Sequence, residues 1–325
     1  MKKLRYILVA VLSAALLCGL IVWWCHKPAD AGPDGEPDPP TPTPTLSADE
    51  KEIYQNPDGY LSKPEYPLND ASLEYAASRF TLMPENCLRT DGVKVYFSVI
   101  PDKNYFMAQA AGVPSMDYAQ MVSTLSGLLP DMDYIDIFDC LSLEDYYKTD
   151  THWRQERITD VAETLALGMD VSLSGEYRTE ELDVPFYGTY CEQTELDTQP
   201  EPLYYLRSDI LDACSVYDFE TDSEIGVYDM DLAHGDDAYE IFLSGSKSLL
   251  RITNPAAENQ RRLIIFRDSF GSSLAPLLVS AYAEVNVVDI RYLSSALLDR
   301  FLRFENCDVL FIYSTLVLNN SITLK

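Results

Sequence analysis

Hydrophobic and polar positions follow several different rhythms along this chain. Tyr6 to Cys25 is an almost uncharged run behind Lys2, Lys3 and Arg5. A run of about 20 such residues spans a hydrocarbon core of roughly 30 Å as one helix. Its exit is the bulky Val22-Trp23-Trp24, of the kind found at a lipid–water boundary. Neither Cys18 nor Cys25 follows the small residues of a lipoprotein cleavage site. The expectation is an uncleaved transmembrane anchor over residues 1–26, basic end inside and the rest of the chain outside. Residues 27–50 are Pro, Asp, Gly and Thr with almost nothing to bury, which predicts an extended linker. Residues 51–325 form the ectodomain.

Inside the ectodomain the rhythm shortens. Val93 to Ile100 is β-branched and aromatic and ends at Pro101-Asp102, predicting a strand. Met116 to Leu129 has helical spacing before Pro130, Tyr134 to Phe138 reads as a strand, and Trp153 to Leu167 reads as a helix ending at Gly168. The continuous run Leu263 to Phe266 has the character of a strand buried on both faces. After it come a turn at Arg267-Asp268-Ser269, a helix from Ser272 to Tyr282, a strand from Val285 to Ile290, a helix from Ser294 to Phe304 and a strand from Val309 to Tyr313. Strands and helices alternating over short connections predict a parallel α/β sheet with right-handed crossovers. Residues 170–250, rich in Tyr, Asp and Thr, read as an insertion or excursion of short strands and loops.

Charge then narrows the function. The chain carries a net charge of −28, and −32 without residues 1–27, which hold four basic residues and no acidic one. Nothing there neutralises a row of phosphates, so nucleic acid is excluded as a partner. Five cysteines follow the anchor: Cys87, Cys140, Cys191, Cys214 and Cys307. Their odd number and scattered spacing argue against a disulfide framework and a zinc site, leaving at most a pair such as Cys191 with Cys214. No metal and no cofactor is expected.

Candidate chemistry lies where histidine is scarce. Only His152 and His234 remain in the ectodomain, and His234 sits in an acidic loop. Asp150 precedes His152 by two residues, a spacing that lets a carboxylate reach Nδ1 of the imidazole; Asp150 or Thr151 capping a helix fits the same spacing. Ser269 stands at the turn between a buried strand and a helix, at the carboxyl end of the sheet, where α/β sheets place ligands. An N-cap Ser or Asp suits that turn too. Taken together, a serine, a histidine and an aspartate that meet in the fold make a nucleophile, its base and an orienter.

These residues resemble the DHHW proteins of Gram-positive bacteria and, more distantly, the SGNH-like domains of the alginate O-acetylation proteins. The resemblance is carried by Pro101-Asp102-Lys103, Asp150-Thr151-His152-Trp153, Phe186-Tyr187-Gly188-Thr189, Tyr239-Glu240-Ile241-Phe242 with Gly245, Ile252-Thr253-Asn254, Arg267-Asp268-Ser269-Phe270 and Val288-Asp289-Ile290-Arg291, in that order. Thr151 stands where DHHW has its first His, and Arg267 where Lys is commoner. The resemblance implies a circularly permuted SGNH-hydrolase-like fold, a three-layer sandwich with a mostly parallel sheet. It implies Ser269 as nucleophile, His152 as base and Asp150 as orienter. The oxyanion would lie at the Ser269 N–H, with Gly245, Asn254 and Asn104 as candidates for a second donor. Arg267, Lys103, Arg291 and Trp153 are candidates for substrate binding, although salt bridges to the many nearby acids are the reading the three cations favour.

By that analogy the chain is an extracellular, membrane-anchored O-acetyltransferase or acetylesterase. It would act on an envelope or secreted polysaccharide, with an acyl donor supplied through a membrane-bound O-acyltransferase. The competing expectation is a non-catalytic SGNH-like module that binds polysaccharide or an envelope partner.

Overall fold

The computed structural model describes residues 52–82, 92–196 and 198–325. The expected anchor, the linker and Cys87 lie outside the described residues. Among the described residues no helix is long and apolar enough to cross a membrane.

Among the described residues twelve strands occur in chain order: β1 Tyr54–Gln55, β2 Leu61–Ser62, β3 Val93–Ile100, β4 Asp133–Tyr134, β5 Arg178–Glu181, β6 Tyr204–Arg207, β7 Ser215–Asp218, β8 Ser223–Ile225, β9 Leu249–Thr253, β10 Arg262–Arg267, β11 Glu284–Val288 and β12 Cys307–Ser314. Eight of them make one sheet in the order β4-β3-β12-β10-β11-β9-β7-β8. The ladders from β4 to β11 are parallel, and β9, β7 and β8 continue the sheet antiparallel. The fold is mixed α/β with a large, mostly parallel sheet.

The apolar strands are continuous because both faces are covered. Alternate residues divide between two cores: Tyr96, Ile265, Val287 and Leu310 face one, Phe97, Phe266, Val288 and Phe311 the other. The first core is closed by the helices Thr159–Gly168 and Phe270–Leu278, through Val161, Leu165, Leu274 and Leu277. The second is closed by Asp70–Thr81 and Tyr118–Leu128, through Leu73, Phe80, Met121 and Leu125. Period-two burial on a sheet between two helical layers accounts for the hydrophobic runs.

Several expected elements differ in detail. The strand expected from Tyr134 to Phe138 is confined to Asp133–Tyr134, because the Asp136 carboxylate takes the Phe138 N–H (3.0 Å) and starts a 3-10 turn. Trp153 is not helical: it bridges back to Tyr146, and the α-helix starts only at Thr159. The helix expected over 294–304 is a short 3-10 segment, Ser295–Arg300, with no side-chain cap. The excursion divides in two. β5 and β6 form a separate ribbon, whereas β7 and β8 extend the main sheet. Cys191 and Cys214 are free thiols and not a disulfide.

Candidate active site

The parallel strands end together at one rim, and strand ends there build the nucleophile's side of the site. Strand β10 delivers Arg267, Asp268 and Ser269 into the helix Phe270–Leu278. Asp268, not Ser269, caps that helix, accepting the Phe270 N–H (3.1 Å) on one oxygen and the Ser314 N–H at the end of β12 (2.7 Å) on the other. The half-buried Ser269 makes no side-chain cap bond and keeps its hydroxyl for another partner. That partner is His152, whose Nε2 lies 2.8 Å from Ser269 Oγ.

His152 comes from a tight loop between paired ends. Tyr146 bridges Trp153, and the Tyr147 N–H donates to the His152 carbonyl (3.1 Å). Asp150 is fully buried within this loop and its Oδ1 lies 2.6 Å from His152 Nδ1. The same oxygen accepts the His152 backbone N–H (2.8 Å), and Oδ2 accepts the Thr189 N–H (2.7 Å). Burial alone would raise the Asp150 carboxyl, but the charge of His152 and these hydrogen bonds outweigh it and hold the group below the usual carboxylate range. An ionised Asp150 only accepts, so in the neutral imidazole the single proton of His152 sits on Nδ1. Nε2 is then left to accept from the Ser269 hydroxyl. Helix capping by Asp150 or Thr151 does not occur, since the α-helix begins well beyond His152, at Thr159.

The imidazole is fixed on its faces as well as its edges. Tyr239 stacks on it with centroids 4.1 Å apart and planes 10° from parallel, and Phe270 lies at 4.9 Å. Tyr239 also shares a hydrogen bond with Ser273 Oγ (2.8 Å), on the helix that follows Ser269.

The segment Phe186-Tyr187-Gly188-Thr189 supports the loop from below. Gly188 packs directly on it: a Cβ there would sit 2.4 Å from the Thr149 carbonyl and the Asp150 nitrogen. The Gly188 N–H donates to Thr149 Oγ1 (3.0 Å) and the Tyr190 N–H to the Thr149 carbonyl (3.1 Å). Glu201, which sequence reasoning missed, accepts from the Lys148 N–H (2.9 Å), the Thr149 N–H (2.8 Å) and the Thr149 hydroxyl (2.7 Å). It stands 52 positions beyond Thr149, and Tyr239 is further still from the histidine it stacks on. Contacts across such separations leave no local pattern in the chain, and only the fold reveals them.

The four residues expected to meet a substrate are occupied elsewhere. Arg267 is fully buried, 3.5 Å from Asp289, and burial pulls its guanidinium down from the usual range. Arg291 is half-buried and spends its guanidinium on Asp289 in a two-pronged contact (2.9 and 2.7 Å). Lys103 is 2 % exposed and donates to the Tyr147 and Lys148 carbonyls. Trp153 is fully buried, and its indole N–H reaches Ser273 Oγ (2.9 Å) and the Phe270 carbonyl (3.1 Å). Of the three candidate second oxyanion donors, Asn254 bonds the Val279 and Tyr282 carbonyls, Asn104 bonds the Lys63 carbonyl, and the Gly245 N–H bonds the Phe242 carbonyl.

No protein-family model and no curated protein matches the chain. Solved structures do. A DHHW family protein from Eubacterium siraeum matches with a TM-score of 0.65 and 19% identity, over 87% of this chain and 98% of that one. The chain has the DHHW-protein fold. PatB1 of Bacillus cereus, in a structure with a sulfonyl adduct, also matches at TM-score 0.65, 18% identical over 84% of this chain and 98% of its own. The O-acetyltransferase domain of Pseudomonas putida AlgJ is more distant, with a TM-score of 0.49 and 11% identity over 83% of this chain and 92% of that domain.

Proposed function

We propose that this chain is a Ser–His–Asp acyl-transfer enzyme, an O-acetyltransferase or acetylesterase acting on an envelope or secreted polysaccharide. The observation that carries the reading is the unbroken relay from Asp150 through His152 to Ser269, with contacts of 2.6 and 2.8 Å. Ser269 Oγ attacks the acetyl carbonyl while His152 Nε2 takes its proton. Asp150 stabilises the resulting imidazolium without itself being protonated. The oxyanion forms at the Ser269 N–H, at the start of the helix Phe270–Leu278, where the backbone dipoles favour negative charge. His152 then protonates the leaving oxygen, giving an acetyl-Ser269 ester and a free alcohol. A sugar hydroxyl or water, deprotonated by His152, attacks that ester and restores the serine.

The DHHW-protein fold and the order Asp–His before Ser support a circularly permuted SGNH-like assignment. PatB1, which matches this fold, has a structure with a sulfonyl adduct. The apolar run before Cys25 supports a single-pass anchor with the site outside the cell, where a membrane-bound O-acyltransferase would deliver the acetyl group.

The test is acetate release from a chromogenic acetyl ester by the full chain, beside Ser269→Ala and His152→Ala. Each variant is expected to lose about 10³-fold or more in kcat with its thermal midpoint intact, as members of one relay do. A wild-type chain inactive on the ester and on acetylated glycans would overturn the catalytic reading in favour of a binding module.

A further inference from the structure

Lys103 is a buried cation that the relay does not use. It follows the end of β3 and immediately precedes the helix Asn104–Ala111. Its Nζ donates to the carbonyls of Tyr147 (3.0 Å) and Lys148 (3.1 Å) and lies 5.0 Å from the centre of the Tyr190 ring. Both carbonyls belong to the loop that carries Asp150 and His152. Burying an ammonium on carbonyls is costly, so its placement calls for an account.

We propose that Lys103 is a positioning residue: its ammonium clamps the Tyr147 and Lys148 carbonyls and so holds the loop that presents Asp150 and His152 to Ser269. The inference rests on the acyl-transfer reading above. The charged and titratable groups facing the amine are Asp102 beside it in sequence, Asp150 in the clamped loop, Glu201 from the excursion, and Cys191 with Tyr190 from the turn after Gly188. Burial pulls the amine down to about 7, against the opposing pull of Asp150, Glu201 and Asp102. Hydrogen bonds from a charged donor are about twice as strong as neutral ones, so losing the proton loosens the clamp. Stability moves the other way. Between pH 7 and about 10.4 the unfolded lysine binds the proton that the folded one has released, so this group's contribution to stability rises with pH. Activity and stability therefore diverge across neutrality, which loss of a merely structural residue would not produce.

The experiment compares the full wild-type chain with Lys103→Met and Lys103→Arg on the chromogenic ester, from below neutrality to well above it, with thermal midpoints measured alongside. Wild-type kcat is expected to fall on an alkaline limb centred at about 7 without a fall in thermal midpoint. Lys103→Met should lose about tenfold in kcat at the acid end, with KM little changed, as displaced catalytic groups do, and should lack the limb. Lys103→Arg, whose charge does not titrate here, should keep kcat on the alkaline side. The proton NMR resonance of His152 Nδ1–H reports the same geometry without catalysis and should shift in Lys103→Met. A wild type without the alkaline limb overturns the proposal, even if neither variant folds; so does a Lys103→Met chain with wild-type kcat and profile. Should Ser269→Ala retain the wild-type rate, the acyl-transfer reading fails, and an unchanged His152 resonance in Lys103→Met then decides against the clamp.

Discussion

The two halves of the relay are placed by different physics. Ser269 sits on regular structure: a strand hydrogen-bonded on both sides, a tight turn, and a helix whose start is capped by Asp268. His152 and Asp150 sit on a loop with no regular structure of its own. Hydrogen bonds with distant segments hold it: Gly188, Thr189, Tyr190 and Lys103 donate to it, and Glu201 accepts from it. Apolar burial fixes the nucleophile and polar scaffolding fixes the base. The base side should then be the easier one to disturb without unfolding the protein.

Gly188→Ala is the sharpest way to break the comparison. An added methyl would meet the Thr149 carbonyl and the Asp150 nitrogen at 2.4 Å, and both are backbone, so the loop must move. A displacement of about 1 Å costs on the order of 100-fold in rate, and overpacking costs about 1–3 kcal/mol of stability. Ester hydrolysis and thermal unfolding of the same preparation check both. A variant with the wild-type rate would show that the loop is not rigidly coupled to the turn beneath it.

Glu201→Gln tests the polar scaffold at one point. The amide keeps one acceptor oxygen for Thr149 but turns an NH₂ group toward the Lys148 N–H, setting donor against donor. The expected cost is about 1–3 kcal/mol, with roughly tenfold in kcat if the strain appears at the relay, since about 1.36 kcal/mol is a factor of ten. Chemical denaturation with parallel kinetics separates the two. Loss of stability with an unchanged rate would make Glu201 a brace of the excursion alone.

This contrast also explains what is legible in the sequence. β10 is readable because a strand buried on both faces leaves an unbroken apolar run, and β3 because its β-branched and aromatic residues stop at Pro101-Asp102. The turn at Ser269 is readable because a helix start follows directly. The Asp150–His152 spacing is local and so visible. The helix Asp70–Thr81 is hard to see because Ala and Ser share its buried face with Leu73 and Phe80. The helix expected from Trp153 gives way to a long-range contact, the indole drawn to Ser273. Lys103, Arg267 and Arg291 look like anion binders because sequence shows a charge but not its partner.

Tyr239 joins the two halves, with its ring on His152 and its hydroxyl on Ser273. Tyr239→Phe separates those roles, because it keeps the stack and removes only the hydroxyl. Ser273 Oγ retains the Trp153 N–H and the Phe270 carbonyl, so nothing polar is stranded. The expected loss is about 1 kcal/mol of stability and less than about threefold in kcat, the latter because the stacked ring still orients the imidazole. Steady-state kinetics at saturating ester, with a denaturation curve, measure both. A large fall in kcat with stability preserved would mean that the hydroxyl, and through it the helix after Ser269, sets the angle of His152. The nucleophile's rigid unit would then govern its base directly, and the division between the two halves would fail.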